Sequence, residues 1–136
     1  MSDIKLKGGC LCGHIRFLAI GLPYAVNHCH CEQCRRYTGA VYATGVAYSA
    51  ENVNWLHAEP TIYLENDASA SGRSFCPKCG SSIADHSLED NDVWLYIGTF
   101  DNPELVTPRN HIFVEEKIPW VEIKDGLSQY PKMDPE

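Results

Sequence analysis

Apolar and polar residues alternate along this chain in short runs, and no segment keeps a 3.6-residue apolar period for three turns. Gly13-His14-Ile15-Arg16-Phe17-Leu18-Ala19-Ile20 alternates through β-favouring residues and predicts a strand ending near Gly21, where Gly21-Leu22-Pro23 signals a turn. Tyr24-Ala25-Val26 predicts a second short strand. The stretch from Thr38 to Ser49, rich in Val, Tyr and Thr with glycines at 39 and 45, predicts a strand carrying a bulge. Ser49-Ala50-Glu51-Asn52 suits one helical turn capped by Ser49. Val53 to His57 and Thr61 to Leu64 read as strands broken by Glu59-Pro60, and Asn66 to Gly72 as a polar hairpin loop. Val93-Trp94-Leu95-Tyr96-Ile97 is the most hydrophobic run and predicts a central strand. Asn102 to Leu105 reads as a turn or short helix, Arg109 to Val114 alternates again, and Trp120 to Ile123 is a last β-like piece. Lys5 to Gly9 reads as a polar lead, and Trp55, Trp94 and Trp120 as core. The expectation is a mainly β fold with many loops, in one domain spanning residues 1–136.

Composition narrows the function classes. Hydrophobic residues make up 44% of the chain, which suits a globular domain rather than a disordered one. Asp and Glu outnumber Lys and Arg by 18 to 11, giving a net charge of −7. That balance disfavours nucleic acid as a partner, because affinity for a phosphate backbone comes from cationic neutralisation. Met1 to Lys7 contains no apolar run of the signal-peptide kind, and nothing approaches a membrane-spanning length, so a cytoplasmic setting with reduced thiols is expected.

The cysteines change the picture most. Seven is an odd number for a disulfide framework, and they fall in three groups: Cys10/Cys12, Cys29/Cys31/Cys34 and Cys76/Cys79. Cys10-x-Cys12 with Cys76-x-x-Cys79 supplies four thiolates, enough to complete the tetrahedron of a structural Zn²⁺. Cys76-Pro77-Lys78-Cys79-Gly80 has the form of a zinc knuckle, its glycine allowing the tight turn. An iron–sulfur site would accept the same four thiolates. A redox role for Cys76-x-x-Cys79 would want a βαβ context that this chain does not show.

Cys29, Cys31 and Cys34 lie within six residues, in Asn27-His28-Cys29-His30-Cys31-Glu32-Gln33-Cys34-Arg35-Arg36. Three thiolates so close repel one another unless a cation sits among them. They read as three ligands of a second zinc whose fourth position is open to water or substrate. A closed site with His28 or His30 as fourth ligand uses the same residues, and oxidation or a non-zinc cluster are further alternatives. Such a zinc is a moderate Lewis acid that suits a thiolate ligand better than hydroxide generation. Arg35 and Arg36, just beyond the last ligand, suit a substrate carboxylate, or they are solvated or paired with Glu32. His14, His57, His86 and His111 stand alone in the sequence and read as surface or packed residues.

These motifs resemble the glutathione-dependent formaldehyde-activating enzyme family, which also includes centromere protein V. Gly9-Cys10-Leu11-Cys12-Gly13-His14-Ile15-Arg16-Phe17 is similar to its opening motif. Cys29-His30-Cys31-Glu32-Gln33-Cys34-Arg35-Arg36-Tyr37-Thr38-Gly39 is similar to its central motif, and Phe75-Cys76-Pro77-Lys78-Cys79-Gly80-Ser81 to its knuckle. A looser echo runs through His111-Ile112-Phe113-Val114 and Trp120 to Leu127. The resemblance implies a β-tent of short antiparallel sheets stabilised by zinc. It implies a structural zinc on Cys10, Cys12, Cys76 and Cys79 and a second zinc on Cys29, Cys31 and Cys34. It also implies a carbon–sulfur lyase activity, joining glutathione to formaldehyde as S-hydroxymethylglutathione or cleaving the adduct. Centromere protein V shows the contrasting role, a non-catalytic module that binds a partner; a zinc enzyme acting on another small molecule is a third outcome.

Overall fold

The alternation along the chain resolves into two sheets. In the computed structural model, which describes residues 4–64 and 71–135, the elements are β1 (Lys5–Gly9), β2 (Arg16–Ile20), β3 (Ala25–Cys29), α1 (Glu32–Thr38), β4 (Ala43–Ser49), β5 (Val53–Trp55), β6 (Thr61–Leu64), β7 (Ser71–Phe75), β8 (Ser82–Ser87), β9 (Asp92–Tyr96), β10 (Asn110–Ile112) and β11 (Ser128–Gln129), with single 3₁₀ turns between some of them. The small sheet has the order β1-β2-β5 and the large one the order β11-β10-β3-β4-β9-β8-β7-β6. Pairing is antiparallel except at one end, where β10 runs parallel to both β3 and β11. The expected mainly β fold of antiparallel sheets is present, with a parallel margin that the alternation pattern did not foretell.

The core lies between the sheets. From β2, Phe17 and Ala19 point inward and are fully buried, while Arg16, Leu18 and Ile20 stay half-exposed on the other side of the pleat. Phe17 packs edge-on against Trp55 and Phe100, with ring centroids 5.9 and 5.3 Å away. Burying such a ring is worth roughly 1.5–3 kcal/mol. The large sheet answers with Val26, Val46, Tyr48, Ile83, Val93 and Leu95.

Several expectations shift. Lys5 to Gly9 is a strand, because Leu6 turns inward between two exposed lysines and pairs with Ala19. The residues after Cys31, for which the apolar pattern predicts no element, form a short helix. Thr38 closes α1, residues 39–42 are irregular, and β4 pairs with β3 and β9 without a break. The register shift falls instead between Ser74 and Phe75. The turn after Ser49 is present, but the Ser49 side chain does not cap it. Trp120 is 69% exposed and its segment is irregular, so it is not core. The loop expected over 66–72 lies mostly outside the described residues; Ser71 and Gly72 belong to β7.

Gly8 lies where β1 is pressed between its β2 partner Phe17 and the turn that ends at Thr99. A Cβ there would stand 2.3 Å from the Phe17 ring and 2.4 Å from the Thr99 carbonyl oxygen. Gly8→Ala is therefore expected to destabilise the fold by about 1–3 kcal/mol, the usual cost of overpacking, read as a lower urea midpoint with unchanged slope.

Candidate metal centres and the cavity beside them

Two tight turns bring the first four sulfurs together. Gly13, at φ +84°, donates from its amide to the Cys10 carbonyl, and Gly80, at φ +77°, does the same to Cys76. Backbone amides of Ile15, Lys78 and Cys79 point at the sulfurs of Cys10 and Cys76 from 3.2–3.4 Å. Cys10 and Cys12 Sγ are 3.6 Å apart, and Cys12 and Cys76 Sγ are 3.8 Å apart. A zinc–sulfur bond of about 2.3 Å gives a tetrahedron edge of about 3.8 Å, so these spacings fit a metal ion. The Ser81 hydroxyl and amide hold Cys79 down at about 5, favouring its thiolate. All four sulfurs lie within 4.8 Å of one another, and the group could hold a metal ion.

The second cluster is built differently. Cys31 is the N-cap of α1 and its sulfur accepts the Cys34 amide at 3.4 Å, so the Cys31-x-x-Cys34 spacing spans the first helical turn. Glu116 caps the Glu32 amide, and Gly39, in the left-handed region at φ +73°, closes the helix on Arg35. The hydroxyl of Tyr37 reaches the Ser74 carbonyl and fastens the helix to β7. Cys29 arrives from the end of β3, its sulfur 3.3 Å from that of Cys31. Without a cation the three sulfurs cannot all ionise. Thiol hydrogen bonds from Cys29 and Cys34 pull Cys31 far below the ordinary range, while contact with Cys31 pushes Cys29 far above it. A divalent ion removes that conflict, and the trio could hold one.

The three cysteines lie on the wall of a cavity of about 680 Å³. Its floor is the face of the large sheet that the core does not use. Strand register lines up Arg73 with Asp85, Asp85 with Trp94, and Tyr96 with Gly45 and then Asn27. Small residues at Ala43 and Gly45 leave the hollow, and a Cβ on Gly45 would meet the Trp94 ring at 3.2 Å.

Arg73 is the functional candidate that sequence reasoning missed. It is 6% exposed, and its Nη1 reaches Cys34 Sγ at 3.4 Å, the Tyr96 hydroxyl at 3.2 Å and Asp85 at 3.4 Å. Burial opposes its charge, but Asp85, Cys34 and Tyr96 more than offset this and hold the guanidinium above its usual range. Its signal was faint: one arginine three residues before Cys76. Arg35 and Arg36 are not among the residues lining the cavity; Arg36 pairs with Glu32 at 2.7 Å on the exposed side of α1. The cations that do line it are Arg73 and Arg109, the latter donating to the carbonyls of Pro23 and Tyr24.

The histidines part company with the cysteines. The β3 pleat sends Cys29 to the cavity and His28 to the opposite face, where its Nδ1 meets Thr44 Oγ1 at 2.6 Å. His30 is fully buried against His111, Nε2 to Nδ1 at 2.8 Å, and burial lowers it to about 4. Neither joins the cysteine trio, so the closed-site alternative finds no fourth ligand there among the described residues. His86 is packed, bonded to Ser74 and stacked near Trp55. His111 does not stand alone: the parallel pairing of β10 with β3 sets it opposite His28.

Two β-sheets carry one four-cysteine and one three-cysteine cluster, each of which could hold a metal ion. The family model described as glutathione-dependent formaldehyde-activating enzyme matches residues 5–116, and the chain belongs to that family. This gives it a role connected with glutathione and formaldehyde. No curated protein matches the chain. Among solved structures, the crystal structure of a Rhodobacter sphaeroides protein, a Northeast Structural Genomics target, is similar in fold, with a TM-score of 0.57 at 17% identity over 91% of this chain and 98% of that one. No helix among the described residues is long and apolar enough to cross a membrane.

Arg73→Met should lower stability by on the order of 2 kcal/mol, less than the about 3–5 kcal/mol of breaking a fully buried pair, because Asp85 is 30% exposed. It should also speed metal loss to a chelator from the three-cysteine cluster and leave the four-cysteine cluster unchanged. Arg36→Met, which removes only an exposed helix pair, should change stability by no more than about 0.5 kcal/mol. Urea unfolding and metal analysis after dialysis check both.

Proposed function

We propose that this chain is a zinc-dependent carbon–sulfur lyase-like enzyme that joins a thiol, glutathione first, to a small aldehyde such as formaldehyde, or cleaves the adduct. The observation that carries the reading is the placement of three cysteine ligands, with no fourth protein ligand among the described residues, on the wall of a cavity large enough for a small thiol. Cys29, Cys31 and Cys34 would hold the second zinc. Cys10, Cys12, Cys76 and Cys79 would hold a structural zinc that ties the start of the domain to its middle. The setting is cytoplasmic, where free thiols stay reduced.

A bound Zn²⁺ would supply the charge that keeps a substrate thiol ionised at neutral pH. The substrate sulfur, having given its proton to solvent, attacks the aldehyde carbon. As the carbon–sulfur bond forms, the carbonyl electron pair moves to oxygen, which must take up a proton. Tyr96 is suited to provide it: burial raises its hydroxyl above the usual phenol range, so it stays protonated, and the hydrogen bond from Arg73 polarises it. Arg73 offsets the negative charge gathering on sulfur and oxygen. Solvent then returns a proton to the Tyr96 oxygen; in the reverse direction Tyr96 first gives its proton to solvent, and its oxygen, held beside Arg73, takes the hydroxyl proton as the carbon–sulfur bond breaks. Trp94 and Tyr24, in edge contact at 6.0 Å, supply an apolar wall away from the chemistry.

Exchange of isotope-labelled formaldehyde with glutathione, followed by NMR against the uncatalysed rate, tests this reading. Cys31→Ser should reduce exchange to background while keeping the fold, and Tyr96→Phe should lower the catalysed rate about 100-fold, the lower end for general acid–base assistance. The native chain should hold about two zinc ions, and Cys31→Ser about one. Full exchange in Cys31→Ser, or no catalysis by the zinc-loaded native chain, would overturn the reading; the latter, with both ions bound, would favour a non-catalytic module.

A further inference from the structure

His28, which the cysteine trio does not use, sits in a row of side chains set by strand register. It lies opposite Thr44 on β4 and opposite His111 on β10. Its Nδ1 is taken by the Thr44 hydroxyl at 2.6 Å, so Nε2 is the nitrogen left for another partner. His111 is 2% exposed; its Nδ1 is taken by His30, and its Nε2 meets Asp125 Oδ2 at 2.8 Å. The two rings lie 4.6 Å apart and tilted by 35°, with Tyr42 closing one side at 4.9 Å from His28. Asp125 comes from the loop before β11, is 42% exposed, and has its other oxygen held by the Leu127 amide at 3.0 Å. One nitrogen from each histidine and one carboxylate oxygen thus lie within 4.8 Å of one another.

We propose that His28, His111 and Asp125 form a third metal site, on the far side of β3 from the cysteine trio, for one borderline divalent ion such as Zn²⁺ or Ni²⁺. Imidazole ligands suit these ions, whereas Mg²⁺ and Ca²⁺ want all-oxygen shells. Each histidine presents one ring nitrogen while a neighbour, Thr44 or His30, holds the other, the arrangement that fixes tautomer and ring angle in metal sites. In a tetrahedron, bonds of about 2.0–2.2 Å place ligand atoms about 3.3–3.6 Å apart. The His111–Asp125 contact therefore opens by about half an ångström on loading, which the exposed loop carrying Asp125 can supply. Water fills the remaining positions from the open side.

Loading also moves a proton within the cluster. Asp125 as sole partner accepts from His111 Nε2–H, which leaves His111 Nδ1 to accept from His30. With Nε2 on the ion, Nδ1 carries the hydrogen and donates to His30 Nε2, and the displaced proton moves to His30 Nδ1, which is buried with no partner. That cost, with only three protein ligands, makes the site weaker than either cysteine cluster, so a chelator should empty it first. The family match ends at residue 116, before Asp125, so the complete ligand set lies partly outside it.

The test uses the full chain loaded with two equivalents of zinc, which the tighter cysteine clusters take up and the third site does not, and the probe is Ni²⁺. Calorimetry should show one further equivalent for the native chain, and Ni²⁺ should broaden the ring-proton NMR signals of His28 and His111 before those of the exposed His57. His28→Gln and Asp125→Ala should each weaken that equivalent at least 10-fold while keeping the native zinc count and circular dichroism, which separates loss of ligands from loss of fold. Cys31→Ser should retain it, making the result independent of the proposed reaction. No equivalent beyond the cysteine clusters, or equal uptake by the native chain and both variants, would overturn the proposal.

Discussion

In a β-strand successive side chains leave on opposite faces, and at β3 that two-residue period sorts the chemistry of the whole molecule. Asn27 and Cys29 go to the cavity; Val26 and His28 go the other way, with His30 following beyond the strand end. The same alternation, carried sideways by register through β4, β9, β8 and β7, makes one face of the large sheet apolar core. The other face becomes a hollow floored by Gly45, Trp94, Tyr96, Asp85 and Arg73. A one-residue slip of β3 would exchange sulfurs for imidazoles on every surface it touches.

The small sheet is tied to the large one by the packing of Phe17 and by the convergence of the four cysteines. Cys10 and Cys12 follow β1, and Cys76 and Cys79 follow β7, so their convergence joins the small sheet to the large one across 64 residues of sequence. Closing a loop of that length costs entropy that the short strands β1, β2 and β5 repay only in part. A metal bound there contributes its binding free energy to folding. The three-cysteine cluster answers a different demand. It is half inside a helix cap and half at a strand end, beside a buried cation, and its thiolates conflict in a way that a bound ion would relieve.

The clustering of the cysteines was legible in the sequence because their spacing is local: Cys31-x-x-Cys34 is one helical turn and Cys76-x-x-Cys79 one tight turn, whatever surrounds them. Strand alternation was legible for the same reason, above all at Phe17 and Ala19 and at Val93 and Leu95. Among the features that the local pattern missed, three show context outweighing it. The helix Glu32–Thr38 is too short to show an apolar period and forms because its ends are capped by Cys31, Glu116 and Gly39. Lys5 to Gly9 becomes a strand because β2 is there to pair with it. Trp120, large and apolar, is exposed because no described element covers its segment.

The sequence by itself determined which residues could bind metal and that short strands would carry them, since both follow from chemistry within a few bonds and a few residues. Only the tertiary structure decided which cation faces the sulfurs. Arg35 and Arg36 are neighbours of Cys34 in sequence, yet helix geometry leaves Arg36 paired outside; Arg73, thirty-nine residues away, is brought to the thiol by sheet register. It also decided that His111 has company, because the parallel pairing of β10 with β3 sets it beside His28. Distances across a sheet are fixed by which strands pair and in what register, and that pairing minimises a sum over the whole chain that no short window contains.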